Sequence, residues 1–113
     1  MASSAVLYTR VSSKEQEEGF SLAAQRELLH AYAREKSLRV VQRFEESETA
    51  KSGGTRHAFG KMVEYLQEKG QGAILLVEKT DRLYRNLKDW ITLDDLKVEI
   101  HFVKEGSVIS PAS

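Results

Sequence analysis

Five apolar residues in unbroken succession, Ala73-Ile74-Leu75-Leu76-Val77, set the tightest limit on what this chain can fold into. A strand with one wet face alternates apolar and polar residues, whereas this run must be covered on both faces. Helices packed on either side of a mostly parallel sheet provide that cover. The rest of the sequence supplies the other parts. Ala5–Val11, Arg39–Glu45 and Val98–Val103 are rich in β-branched and aliphatic residues and read as further strands, with the central one spanning Gly72–Val77. Helical patterns lie between them. Ser21–Lys36 spaces Leu22, Leu28, Leu29 and Tyr32 along a helix with Ser21 as its N-cap. His57–Lys69 places Phe59, Met62, Val63 and Leu66 on one face, and a third helix is predicted from Asp81 to Leu96. Alternating strands and helices imply βαβ crossovers. The expected fold is a single α/β domain with a mostly parallel sheet of four or five strands flanked by helices.

Composition narrows the function. The chain has 113 residues, enough for one core, and no apolar run approaches the roughly 20 residues of a membrane span. It contains no cysteine, which excludes disulfides, thiolate metal sites and thiol nucleophiles. No secretory signal opens the sequence, and a cytoplasmic location is the default. Seventeen basic side chains balance seventeen acidic ones. A free-standing DNA binder usually carries a basic surplus, so a DNA-binding role requires that the main grip lie elsewhere in a longer protein. The last ten residues lose apolar periodicity, and the sequence stops where a further helix is expected, as in a truncated domain.

In open parallel sheets, ligands bind beyond the carboxyl ends of the strands. The first strand is followed by Arg10, Ser12, Ser13, Glu15 and Gln16, and the second by Glu45, Glu46, Glu48, Thr49, Lys51 and Arg56. Lys79, Thr80, Asp81, Arg82 and Arg85 follow the third. Arg10 and Ser12 share a strand face at a spacing of two, and Arg82 and Arg85 share a helix face at a spacing of three. Four guanidiniums would then converge on one hydroxyl, a set suited to a phosphoryl group because guanidinium binds phosphate through paired N–H donors and keeps its charge. Each residue also has a plainer reading. Ser12 can be a turn residue, Asp81 an N-cap, and Glu45–Glu48 a solvated loop. His30, His57 and His101 lack ligand spacing, and there is no P-loop or G-x-G-x-x-G motif.

Taken together, Tyr8-Thr9-Arg10-Val11-Ser12-Ser13, Glu15-Gln16 and Ser21-Leu22-Ala23-Ala24-Gln25 resemble the opening signature of the serine recombinases, the resolvase/invertase family. Asp81-Arg82-Leu83-Tyr84-Arg85 resembles that family's D-R-L-x-R motif, and Glu46 through Arg56 its acidic-hydroxyl-arginine loop. The resemblance implies Ser12 as nucleophile, with Ser13 the lesser candidate. It implies Arg10, Arg56, Arg82 and Arg85 as phosphate-holding residues, Asp81 as a proton-transfer or arginine-orienting carboxylate, and Gln25, with Gln16 behind it, as polar support. Glu46 and Thr49 stand where the loop's acid and hydroxyl are expected, with Glu48 as the alternative acid, and Arg56 falls one residue further on, which a single insertion near Gly53-Gly54 accommodates.

The resemblance further implies cleavage and religation of double-stranded DNA through a 5′-phosphoserine, without metal or organic cofactor. The implied assembly is a homodimer pairing into a synaptic tetramer, with a separate C-terminal DNA-binding region and no membrane partner. Glu17–Phe20 lengthens the link to the first helix and points to the large-serine-recombinase branch. The rival readings are a flavodoxin-like anion-binding module, a metal-dependent nuclease or phosphatase built on Glu45, Glu46 and Glu48, and a transposase of the same catalytic family.

Overall fold

The computed structural model describes residues 3–48 and 57–110. Its elements run β1 (Ser4–Ser12), α1 (Ser13–Glu17), α2 (Leu22–Glu35), β2 (Arg39–Glu48), α3 (His57–Glu68), β3 (Ile74–Val77), α4 (Thr80–Leu83), α5 (Leu87–Leu96), β4 (Glu99–Phe102) and β5 (Ser107–Ile109). They form one sheet of order β2-β1-β3-β4-β5. Its first four strands are parallel to their neighbours, and β5 alone returns antiparallel on β4.

The two-residue period of the strands divides the interior in two. Val6, Tyr8, Leu75, Val77, Ile100 and Phe102 point to one face, against Phe59, Met62 and Leu66 of α3 and Leu93 of α5. Ala5, Leu7 and Leu76 point to the other, against Leu29 and Ala33 of α2. Leu75, Leu76 and Val77 are each fully buried, the outcome expected for an apolar run covered from both sides. A polar chain crosses the α2 face as well. The Tyr32 hydroxyl lies 2.7 Å from His101 Nδ1, and His101 Nε2 lies 2.6 Å from a Glu99 carboxylate oxygen.

Register decides where the functional edge falls. β3 pairs with β1 only from Ala5 to Leu7, whereas β2 accompanies β1 to its end, with Arg10 opposite Glu46 and Ser12 opposite Glu48. The last residues of β1 therefore project past β3.

Several elements differ from the sequence expectation. β2 continues through Glu48 and forms the edge of the sheet, where Glu45 reaches Arg26 of α2 and Glu46 turns toward α3. α1 and β5 were absent from the sequence reading. α1 is a single turn started by a Ser12-x-x-Glu15 capping box, and β5 is three exposed residues reached through Gly106 at φ 69°. The helix expected from Asp81 to Leu96 is two helices. α4 ends at Leu83, Tyr84 is extended, and Asn86 starts α5 by accepting the Asp89 amide at 3.0 Å.

Candidate functional site

The carboxyl edge of the sheet is organised around the end of β1. Gln25, buried on α2, donates through Nε2 to the Arg10 carbonyl at 2.9 Å, and its Oε1 accepts the Arg10 amide at 3.1 Å. A side-chain amide thus satisfies both backbone groups of Arg10 past the point where β3 stops pairing, which fixes the residue that precedes Val11 and Ser12. The Arg10 side chain reaches across to the segment after β3. Its Nε donates to the Arg82 carbonyl at 3.1 Å, and Nη2 donates to the carbonyl of Asp81. Arg10, Asp81 and Arg82 are brought together by these bonds.

Ser12 is half-buried and serves as the N-cap of α1. Its Oγ accepts the Glu15 amide at 3.1 Å, and its own amide donates to Glu15 Oε1 at 2.9 Å. The second oxygen of the same carboxylate pairs with Nη1 of Arg82. Arg82 Nε donates to Glu78 Oε1 at 3.1 Å, and the Phe20 ring lies 5.8 Å from the guanidinium carbon. The Arg82 side chain is only 3% exposed. Burial works against its charge, but hydrogen bonds and attraction from Glu15 and Glu78 outweigh that and raise its pKa. Burial likewise pushes the Glu15 carboxyl up, and the Ser12 amide together with Arg82 more than reverses this, holding it below the ordinary carboxylate value.

Other expected site residues are placed differently. Arg85 follows the end of α4, is exposed, and has its amide accepted by Asp89 at 2.8 Å. It does not share a helix face with buried Arg82, because the helix stops between them. Asp81 lies in the first turn of α4, whose N-cap is Lys79, so the N-cap reading of Asp81 is corrected. Glu46 is buried and turned toward α3, where Oε1 accepts the amides of Ala58 and Phe59 at 2.9 and 3.2 Å. It seats the start of that helix, a role the sequence reading did not include. Thr49 and Arg56 lie outside the described residues.

Among the described residues, no cluster of three or more His, Cys, Asp or Glu is placed to hold a metal ion, and no helix is long and apolar enough to cross a membrane. Glu45, one of the acids considered for a metal site, grips Arg26 through both carboxylate oxygens at 3.1 and 2.9 Å.

The sequence reading gave Glu15 no role and passed over Glu78. The S-x-x-E spacing of Ser12 and Glu15 is a capping-box signature and was sufficient to pair these two. No local pattern tied Glu15 to Arg82, since 67 positions separate them.

These elements make a five-stranded, mostly parallel α/β domain with a polar, arginine-bearing site at its carboxyl edge. The chain belongs to the resolvase family of serine recombinases: the resolvase N-terminal domain matches residues 5–112. A resolvase family site-specific recombinase from Streptococcus pneumoniae is 31% identical, with a TM-score of 0.74 over 94% of this chain and 75% of that one. The catalytic domain of ISC1926 TnpA, an IS607-like serine recombinase, is 28% identical, with a TM-score of 0.71 over 89% and 70% of the two chains. The N-terminal catalytic domain of TP901-1 integrase shares the fold at 23% identity, with a TM-score of 0.73 over 93% and 80%. No curated protein matches the chain.

Proposed function

We propose that this domain cuts and rejoins double-stranded DNA through a covalent bond between Ser12 and a 5′-phosphate. The observation that carries the reading is the meeting of Ser12, Arg10 and Arg82 at one sheet edge, joined by Glu15 and by the Arg10 bonds to the segment after β3. It is supported by membership of the resolvase family and by likeness to structures described as a site-specific recombinase and a serine recombinase.

In this reading the Ser12 oxygen attacks a backbone phosphorus. The serine O–P bond forms as the P–O3′ bond breaks, the serine proton is given up, and the departing 3′ oxygen takes a proton to leave as a hydroxyl. Rejoining is the reverse, with the 3′-hydroxyl attacking the phosphoserine, so the phosphodiester energy is retained and no nucleotide is consumed. The phosphorane-like transition state gathers negative charge, which prepositioned guanidiniums stabilise more than they stabilise the ground state. Arg10 and Arg82 supply that charge here, with Arg56 and Arg85 as further donors once DNA is engaged. Gln25 keeps the β1 end in place, and Asp81 orients the arginines through its position on α4. In the cap geometry the Ser12 oxygen accepts the Glu15 amide, and its side chain also hydrogen-bonds the Glu15 carboxylate. The working assembly is a homodimer that pairs across two DNA sites, with a further DNA-binding region supplying recognition.

The test is a DNA duplex carrying the recombination site, incubated with the protein that contains this domain and denatured in detergent. A protein–DNA adduct with the wild type, absent with Ser12→Ala, is the expected result. An adduct that survives Ser12→Ala refutes the nucleophile.

A further inference from the structure

Arg82 has a difficulty as a phosphate ligand. Two carboxylates, Glu15 and Glu78, already occupy its guanidinium, and together they leave the cluster with a net negative charge. The side chains are 3% exposed for Arg82, 12% for Glu78 and 28% for Glu15, so Glu15 is the partner nearest to solvent and the one an arriving anion can displace. Glu15 also accepts the Ser12 backbone amide, through the capping box.

We propose that Glu15 is a positioning residue that acts as a latch, occupying the Arg82 edge a DNA phosphate would take and keeping Ser12 capped until that phosphate arrives. The inference rests on the reading of Ser12 and Arg82 given above. When a phosphodiester oxygen replaces Glu15 Oε2 on Arg82, the carboxylate swings away and Oε1 leaves the Ser12 amide. That amide N–H becomes available beside the nucleophile, and the serine is freed from one half of its cap. Phosphate binding and release of the nucleophile are then a single event. Repulsion between Glu15 and an unlatched phosphate also disfavours any anion that cannot take the Arg82 edge. Glu78 provides an internal control, since it pairs with the same guanidinium from four residues earlier in the chain.

The experiment follows the Ser12 amide and the Arg82 Nε–Hε resonance by NMR as the wild-type chain is titrated with a short double-stranded DNA oligonucleotide. Both signals should move at the same DNA concentration, and the Ser12 amide should lose its protection from hydrogen exchange. Glu15→Gln should bind the duplex about fivefold more tightly, as expected for removing a nearby like charge, and the Ser12 amide should stop responding to DNA. Glu78→Gln should tighten binding while leaving the Ser12 response intact. A Ser12 amide that stays protected while the Arg82 signal saturates overturns the latch, and this requires no variant. An equal loss of the Ser12 response in Glu78→Gln overturns it as well. If Arg82→Ala leaves duplex affinity unchanged, the assignment of Arg82 to phosphate fails first, and the latch fails with it. If Arg82→Ala weakens binding but Glu15→Gln does not strengthen it, the site reading stands and the latch alone is refuted.

Discussion

Gln25 and Arg10 exchange two hydrogen bonds across 15 positions of sequence, the side-chain amide of one taking both backbone groups of the other. The geometry is that of a missing ladder partner. Gln25→Ala would leave an amide and a carbonyl unsatisfied beside the core, and should lower unfolding free energy by about 2–3 kcal/mol. Gln25→Glu retains the acceptor and regains a donor only when protonated, so it should recover part of the loss below the carboxyl pKa and less above it. Urea denaturation of the three proteins at two pH values measures both effects.

Glu46 anchors α3 by accepting two amides from its first turn. Glu46→Ala should cost about 1–2 kcal/mol, within the range of lost helix caps. Glu46→Gln retains an acceptor oxygen and should cost less. Denaturant midpoints with an unchanged m-value would place the effect in stability rather than in the extent of unfolding.

The acid limb of stability should have two components. His30 has its pKa lowered by burial first and then by Arg43, Arg34 and Arg26, so the unfolded chain takes up a proton there before the folded one does. Stability therefore falls as pH drops below the ordinary value of 6.5, and His30→Gln should flatten this part of the curve. Glu15 has a depressed folded pKa, so its contribution is complete above 4.5 and is lost as pH falls through the lower folded value. Glu15→Gln should remove only this second, more acidic component. Thermal melts from neutral pH down to about 3 cover both windows.

Tyr32, His101 and Glu99 form a chain of two short contacts between α2 and β4. His101 bridges the other two, with Nδ1 toward the Tyr32 hydroxyl and Nε2 toward the Glu99 carboxylate. Tyr32→Phe and His101→Ala should therefore be coupled. A double-mutant cycle should return an interaction energy of about 1 kcal/mol, and additive effects would show that the contact contributes nothing.

The sequence announced the sheet more clearly than the site. Ala73–Val77 identified the central strand because solvent exclusion on both faces leaves a continuous apolar signature, and Ser21 marked the start of α2 through a local bond to the Ala24 amide. The break after Leu83 was harder to see. Leu83, Leu87, Trp90 and Ile91 keep helical spacing across it, yet Tyr84 is extended and Asn86 opens a new helix. The N-x-x-D pattern at Asn86 and Asp89 was the available clue. Ser12, Arg10 and Arg82 could be named from motif and strand position, but the contacts that position them could not. Gln25 to Arg10 and Glu15 to Arg82 are tertiary bonds between distant segments, and nothing in the local pattern at either end specifies the other.

The overhang of β1 past β3 has a consequence for how this domain can vary. Residues 8–12 run alongside a strand on one side only, and Gln25, Glu15 and the turn after β3 complete their surroundings. The reacting end behaves as a cantilever whose root is clamped in the interior and whose tip is trimmed by side chains. Exchanging Glu15 or Asp81 retunes the tip without disturbing the layers that hold the root. Repacking Leu75 or Met62 changes the stiffness of the mount and leaves the tip's own fittings in place.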